Sequence, residues 1–226
     1  MEALVRSVRR AQLNRLRANR ERILKRAIAR MKSQPVGARL PLFSLTDAVY
    51  GWGNEGWSAD EDYLARLLRE AESTKGCIVE CGSGLSTLLL ATVAARTGVE
   101  VHSLEHNEEW RQRVLGALAA HGLTGATVHS APLKNYGDFD WYTLPPQLPD
   151  NVSLVVCDGP PSATLGGRYG MLPVLRSHFA SECTILLDDA VRAPEIAILD
   201  RWEAEARATS ERHATHKGFA RVTVRT

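Results

Sequence analysis

The sequence predicts an α/β fold: a Rossmann-like, mostly parallel sheet with helices on both faces, preceded by a basic helix. Three observations predict it. The run Cys77-Ile78-Val79-Glu80-Cys81-Gly82-Ser83-Gly84-Leu85-Ser86-Thr87-Leu88-Leu89-Leu90 carries a short apolar strand to a carboxylate, breaks at two glycines and passes into an apolar helical segment. Four later β-type runs end in polar or acidic residues, with helical or loop sequence between them, and such alternation implies parallel βαβ units. Residues 1–32 hold eleven Lys or Arg against Glu2 and Glu21, so a strongly basic segment leads the chain.

That leading segment reads as one helix. Leu4, Val5, Val8, Leu13, Leu16, Ile23, Leu24, Ala27, Ile28 and Met31 recur at helix-like spacing, and Gln34-Pro35-Val36-Gly37 ends the pattern. The division expected is a helical arm over 1–34 and a single domain over 35–226. Next comes Tyr50 to Asp60, a glycine-rich loop carrying Trp52 and Trp57, before a helix that Ser58 or Asp60 can cap. The strand at Cys77 follows. The second strand is Val99 to Glu105, the third Thr127 to Ala131, and Asn135 to Pro146 forms a second aromatic loop that includes Tyr142. The fourth strand is Val152 to Asp158, the fifth Cys183 to Asp189. Between these two, Asp158 to Gly170 is too rich in Gly and Pro for a helix before Tyr169 and reads as a loop over the strand ends.

Ligands of such sheets sit beyond the carboxyl ends of the strands, and four of those ends carry carboxylates. At the first, two glycines allow a tight turn and a close backbone approach, and the following helix presents unpaired N–H groups. A dinucleotide does not suit this turn, because Thr87 replaces the third glycine and Glu80 would repel a pyrophosphate. A donor with a cationic end, such as a sulfonium-bearing methyl donor, suits the carboxylate. Glu105, a little over twenty residues on, is placed to accept from ribose hydroxyls, a role preferred over that of a dipole partner at the start of the helix after it. Asp158, Asp188 and Asp189 together make a hard, oxygen-rich set of the kind that holds Mg²⁺; an N-cap role before Pro194 explains at most one of them.

In the order and spacing of these motifs, the chain from about residue 59 onward resembles the class I S-adenosylmethionine-dependent methyltransferases. Glu80 to Gly84 matches the family's first motif in the form E-x-G-x-G, Glu105 its ribose acid and Asp158 its fourth motif. Lys217 to Arg225 resembles the last strand of the family's seven-stranded sheet. The resemblance implies S-adenosylmethionine as cofactor, held by Glu80, Cys81, Gly82, Ser83, Gly84, Ser86 and Thr87 at the turn. It extends the same site to Glu105, His106, Ser130, Ala131 and Asp158. Asp158 followed by Asp188-Asp189 is similar to the metal-dependent O-methyltransferases of the macrocin and catechol type. That likeness implies magnesium on the three aspartates, catalysis by Asp158 and Asp189, and a sugar or other small polar acceptor. Trp52, Trp57, Tyr142, Arg168 and Tyr169 are the expected acceptor contacts. Pro160 and Pro161 stand where such relatives often keep an acid or lysine, so the base does not carry over; His106, His129, Lys134, Tyr169 and Asp189 all remain open.

Composition bounds the remaining readings. At 226 residues, 44% hydrophobic and 24% charged, the chain suits one soluble domain with an appendage. No apolar run has the length of a membrane span and the N-terminus has no signal-peptide core, while Cys77, Cys81, Cys157 and Cys183 read as reduced core thiols, so a cytoplasmic location is expected. The basic arm precedes a body left with 17 of the 28 basic and 24 of the 26 acidic side chains. Such asymmetry suits a homodimer contact through the helix, docking on the acidic body, or a nucleic-acid or membrane surface. RNA methylation and a non-catalytic binding role are the competing functions.

Overall fold

The computed structural model describes the backbone of residues 2–38, 41–54, 56 and 58–226, with side chains from Arg9 onward. The chain begins with the expected helix α1 (Glu2–Ser33), then α2 (Leu42–Trp52) and α3 (Glu61–Ser73). Of the two caps foreseen for α3, Asp60 serves: its Oδ1 accepts from the Tyr63 N–H at 2.8 Å, and Glu61 and Asp62 fill the first turn. Strand β1 (Cys77–Cys81), helix α4 (Leu85–Thr97), strand β2 (Val101–Glu105), helix α5 (Glu108–Ala120) and strand β3 (Ala126–Ser130) follow as alternating units. Asn107 caps α5 by accepting from the Trp110 N–H at 3.0 Å.

The second aromatic loop is a small hairpin of β4 (Leu133–Asn135) and β5 (Asp140–Tyr142), a structure the loop reading did not contain. After β6 (Val152–Cys157) and the Gly-Pro segment come α6 (Met171–Leu175), a 3₁₀ turn, β7 (Phe179–Asp188) and α7 (Ala193–Ala206). The chain closes with β8 (Thr209–His213) and β9 (Phe219–Arg225). Seven strands form one sheet in the order β3-β2-β1-β6-β7-β9-β8, parallel except for β9, which runs antiparallel to both neighbours. The order reverses between β1 and β6, and their carboxyl ends therefore open a crevice.

Every residue of β1 is buried, because helices cover both faces of the sheet. The pleat separates two cores. Ile78, Leu154, Val156 and Leu186 face one cluster, with Leu67 of α3 and Leu88 and Leu89 of α4. Val79, Val155, Ile185 and Leu187 face the other, with Trp141, Leu175 and Trp202. All four cysteines are buried and unbridged.

The basic helix divides in two. Leu24, Ala27, Ile28 and Met31 are buried in the first cluster against α2 and α4, and Arg30 pairs with Asp47 at 3.2 Å, so the last turns of α1 belong to the core. Residues 9–18 are all exposed, Leu13 and Leu16 among them; Leu4, Val5 and Val8 lie where side chains are not described. Ile28→Ala or Met31→Ala is expected to cost about 2–5 kcal/mol in chemical denaturation. Removal of residues 1–18 is expected to leave the denaturation midpoint nearly unchanged, and a large drop would show that this part of the helix supports the fold.

Candidate functional site

A cleft of about 730 Å³ lies over the carboxyl ends of β1, β2, β6 and β7, lined at one end by Ser83, Gly84, Ser86, Glu105, His106 and Trp110. Gly82 turns the chain with φ +87°, a conformation that favours glycine, and an added Cβ there would meet the Gly159 backbone at 3.1 Å. Gly84 differs. A Cβ on Gly84 would have nothing within 4 Å and would stand in the cleft itself.

The turn is held from below. The Thr87 hydroxyl accepts from the Gly84 N–H at 2.9 Å and donates to Glu80 Oε2 at 2.6 Å, and Ser103 donates to the same oxygen at 2.5 Å. Glu80 is wholly buried and does not line the cleft, so its direct role is to brace the turn. Thr87, Cys81 and Ala131 are buried as well, and Ser130 points to solvent; none of the four lines the cleft. Burial pushes the Glu80 carboxyl up to about 7, against the hydroxyls of Ser103, Ser86 and Thr87.

Glu105 lies at the cleft and ties two ends together. Its Oε2 accepts from the Ser83 N–H (3.0 Å) and hydroxyl (2.8 Å), and its Oε1 from the Asn107 N–H (2.9 Å) with His106 Nδ1 at 3.3 Å. Against the cost of burial, these hydrogen bonds hold its pKa below the usual carboxylate range. Trp110, which the sequence reading missed, donates from Nε1 to the Ser83 carbonyl at 2.7 Å and meets Trp52 edge to face with centroids 6.0 Å apart. Arg113 lies over both indole rings. The Tyr142 hydroxyl reaches the cleft beside Gly159, buried and without a hydrogen-bond partner.

The other end of the cleft is charged. Asp158, Asp188 and Asp189 offer oxygens within 4.8 Å of one another, as a divalent cation requires. A guanidinium is already among them. Arg168, only 3% exposed, donates through one nitrogen to Asp158 Oδ1 (3.2 Å) and Asp189 Oδ2 (3.0 Å), and through the other to the Asp188 carbonyl (2.6 Å). Arg192 reaches the same Asp189 oxygen at 2.8 Å, Glu195 lies 3.9 Å from Arg168, and Lys217 lines the cleft. Neither Arg192 nor Lys217 was foreseen, and Lys217 lies some sixty residues beyond Asp158 with no local motif to mark it. Burial and the neighbouring Asp158 and Asp189 push Asp188 up to about 8, and its Oδ1 has no donor. Burial raises Asp158 too, although Arg168 works against the shift.

Four carboxylates thus face three basic side chains, and a proton on Asp188 balances the set. A Mg²⁺ bonded at about 2.1 Å to either oxygen held by Arg168 would stand no more than about 5 Å from that guanidinium. At an effective dielectric of 20 the repulsion between the doubly charged ion and the guanidinium is at least about 6.6 kcal/mol. The expected metal ligands do meet, but the buried guanidinium among them means that their arrangement does not fit a resident magnesium. Nor do they cap α7: Arg192 holds the cap position, with no side-chain capping bond. Tyr169 points away, its hydroxyl on Glu205 at 2.7 Å, and Trp57 lies outside the described residues.

No family model and no curated protein matches the chain. Solved structures do. A protein assigned as a caffeoyl-CoA O-methyltransferase from Staphylococcus aureus superposes with TM-score 0.60 at 14% identity, over 83% of this chain and 93% of that one. The O-methyltransferase from Bacillus cereus in complex with S-adenosylhomocysteine gives 0.57 at 14%, over 82% and 90%. The fold is that of a class I S-adenosylmethionine-dependent methyltransferase. The methyltransferase domain of METTL16 shares it, with TM-score 0.54 and 10% identity over 82% of this chain and 80% of that domain. Among the described residues of this methyltransferase fold, no helix is long and apolar enough to cross a membrane.

Gly84→Val is expected to leave the melting temperature unchanged while filling the cleft, so calorimetry with S-adenosylhomocysteine loses its heat; retained binding would place the ligand elsewhere. For Glu80 the sign follows from a folded pKa above the unfolded one. Its contribution to stability is complete below about pH 4.5 and is lost as pH rises to about 7. Glu80→Gln is expected to flatten that part of the stability–pH curve.

Proposed function

We propose that this chain is an S-adenosylmethionine-dependent methyltransferase that acts on a hydroxyl of a saccharide or other small polar acceptor. One observation carries the reading: a single cleft joins a glycine turn braced by Glu80 and Glu105 to a cluster of carboxylates and basic groups. The donor lies at the turn, its flat base beside Trp110 and its ribose near Glu105. Every Glu105 oxygen already has a partner in the chain, so ribose hydroxyls share it with Ser83 and Asn107. The solved relative that holds S-adenosylhomocysteine supports the choice of donor.

Transfer breaks the bond from sulfur to methyl and forms one from the acceptor oxygen to methyl, and the hydroxyl proton needs a base. Asp158 suits that task better than Asp189. Its side chain is 33% exposed to the cleft and meets one arginine, whereas Asp189 is buried between two. The sulfonium is an activated leaving group, so alignment and exclusion of water make up most of the remaining work. Magnesium has no part in this reading.

The test is calorimetry followed by turnover. S-adenosylhomocysteine is expected to bind the purified chain, and Asp158→Asn to leave that affinity unchanged while lowering kcat by about 10²-fold or more. Because burial raises the Asp158 pKa, the acid limb of the rate profile is expected above the ordinary carboxylate range. Full turnover in Asp158→Asn would remove it as the base.

A second reading, RNA methylation, is favoured by the exposed half of α1, where Arg9, Arg10, Arg15 and Arg17 stand among solvent-exposed neighbours. RNA retention that falls steeply with salt and disappears on deletion of residues 1–18 would support it. The deletion stops there because Arg20 lies over Tyr50 and Leu24 to Met31 are core.

A further inference from the structure

We infer that Arg168 is the permanent cation of this site: the acidic cluster takes no divalent metal, and the guanidinium holds Asp158 and Asp189 in position beside the acceptor. A loop arginine that swings outward could not do this. The chain around Arg168 is clamped on both sides. Gly166 and Gly167, both at positive φ, turn it inward, and the Leu165 carbonyl accepts from the Asp140 N–H at 2.9 Å. Gly166 packs so closely on Phe139 that an added Cβ would lie 2.5 Å from that side chain. On the far side, the Tyr169 carbonyl accepts from Trp202 Nε1 at 3.1 Å and its hydroxyl donates to Glu205. Arg168 itself spans the cluster, from Asp158 at the end of β6 to the carbonyl of Asp188 at the end of β7.

A guanidinium fits this place because its planar fork bonds several oxygens at once and keeps its charge when buried. Asp158 and Asp189 hold that charge on Arg168 against the cost of burial, and Glu195 lies 3.9 Å from it. Arg168 is therefore a positioning residue: it touches the carboxylates and leaves Asp158 open to the cleft. The role given to Asp158 rests on the methyl-transfer reading, whereas the metal claim is read by direct binding, so a failure of either is distinguishable.

The experiment measures Mn²⁺ bound to the purified chain by electron paramagnetic resonance. Wild type is expected to bind no more Mn²⁺ than Asp188→Asn, and Arg168→Lys, which keeps the charge, to behave like wild type. Arg168→Met is expected to gain a site at least about tenfold tighter than any in wild type, and Arg168→Met/Asp188→Asn to lose it. A purely structural arginine would lower the melting temperature without creating a metal site. One equivalent of Mn²⁺ on wild type that Asp188→Asn lacks would overturn the inference. So would an Arg168→Met variant that folds, by circular dichroism, and binds none. If Arg168→Met does not fold, the comparison of wild type with Asp188→Asn still decides it.

Discussion

The approach of the glycine turn to the charged cluster is set by a backbone contact between Gly82 and Gly159. The Cys81 carbonyl accepts from both the Asp158 N–H (3.2 Å) and the Gly159 N–H (2.7 Å), which extends the pairing of β1 with β6 past the end of the sheet. A Cβ on either glycine would lie about as close to the other as real side chains ever come, and one on Gly159 would also strike the Tyr142 hydroxyl. Asp158 therefore begins its loop from a fixed point beside the turn. The two glycine backbones thus fix how closely the turn and the loop after β6 approach, and Asp158 takes its position from that contact.

Two buried polar systems flank that contact and behave differently. Under the turn, Glu80 gathers hydroxyls from Thr87 and Ser103, neutral donors that do not offset the burial favouring its protonated form. Across the cleft, Asp158, Asp188 and Asp189 gather arginines. A buried ion pair offsets its desolvation only with full hydrogen bonding, and Arg168 comes near that with bonds to two carboxylates and a carbonyl. The result is one end of the cleft that presents the single ionised carboxylate of Glu105 and one that is dense in compensated charge.

The alternation of strands and helices, the glycine turn and the identity of the acidic strand ends were legible in the sequence because each is a local signal. Roles that depend on register were not. Glu80 read as a ligand contact, but it lies opposite Ser103 in the pairing of β1 with β2, and only that register reveals the hydroxyl that claims it. The aspartates read as metal ligands because their spacing matches a known motif. What fills the space between them is an arginine ten residues after Asp158, on a segment whose Gly and Pro content suggested an open loop. Its closure depends on Phe139, Trp202 and Glu205, which are distant in sequence and carry no motif. The division at residue 34 likewise followed composition, whereas burial of Leu24 to Met31 follows from packing on α2 and α4.

Lys217 ties the connection between β8 and β9 to the segment that leads into α3. Its Nζ donates to the Ser58 carbonyl at 2.6 Å, while Asp60, which caps α3, accepts from the Lys217 N–H and the Thr215 hydroxyl. Lys217 lies in the connection from β8 to β9, and β9 is the strand that inserts between β7 and β8. One wall of the cleft is thus completed from the connection between β8 and β9. Until β9 is in place, the long strand β7 keeps an unpaired edge, the kind of surface on which other chains assemble. Docking of β9 therefore does two things at once: it covers that edge and brings Lys217 to the cleft, so the site is completed only in a molecule whose β7 edge is already closed to strangers.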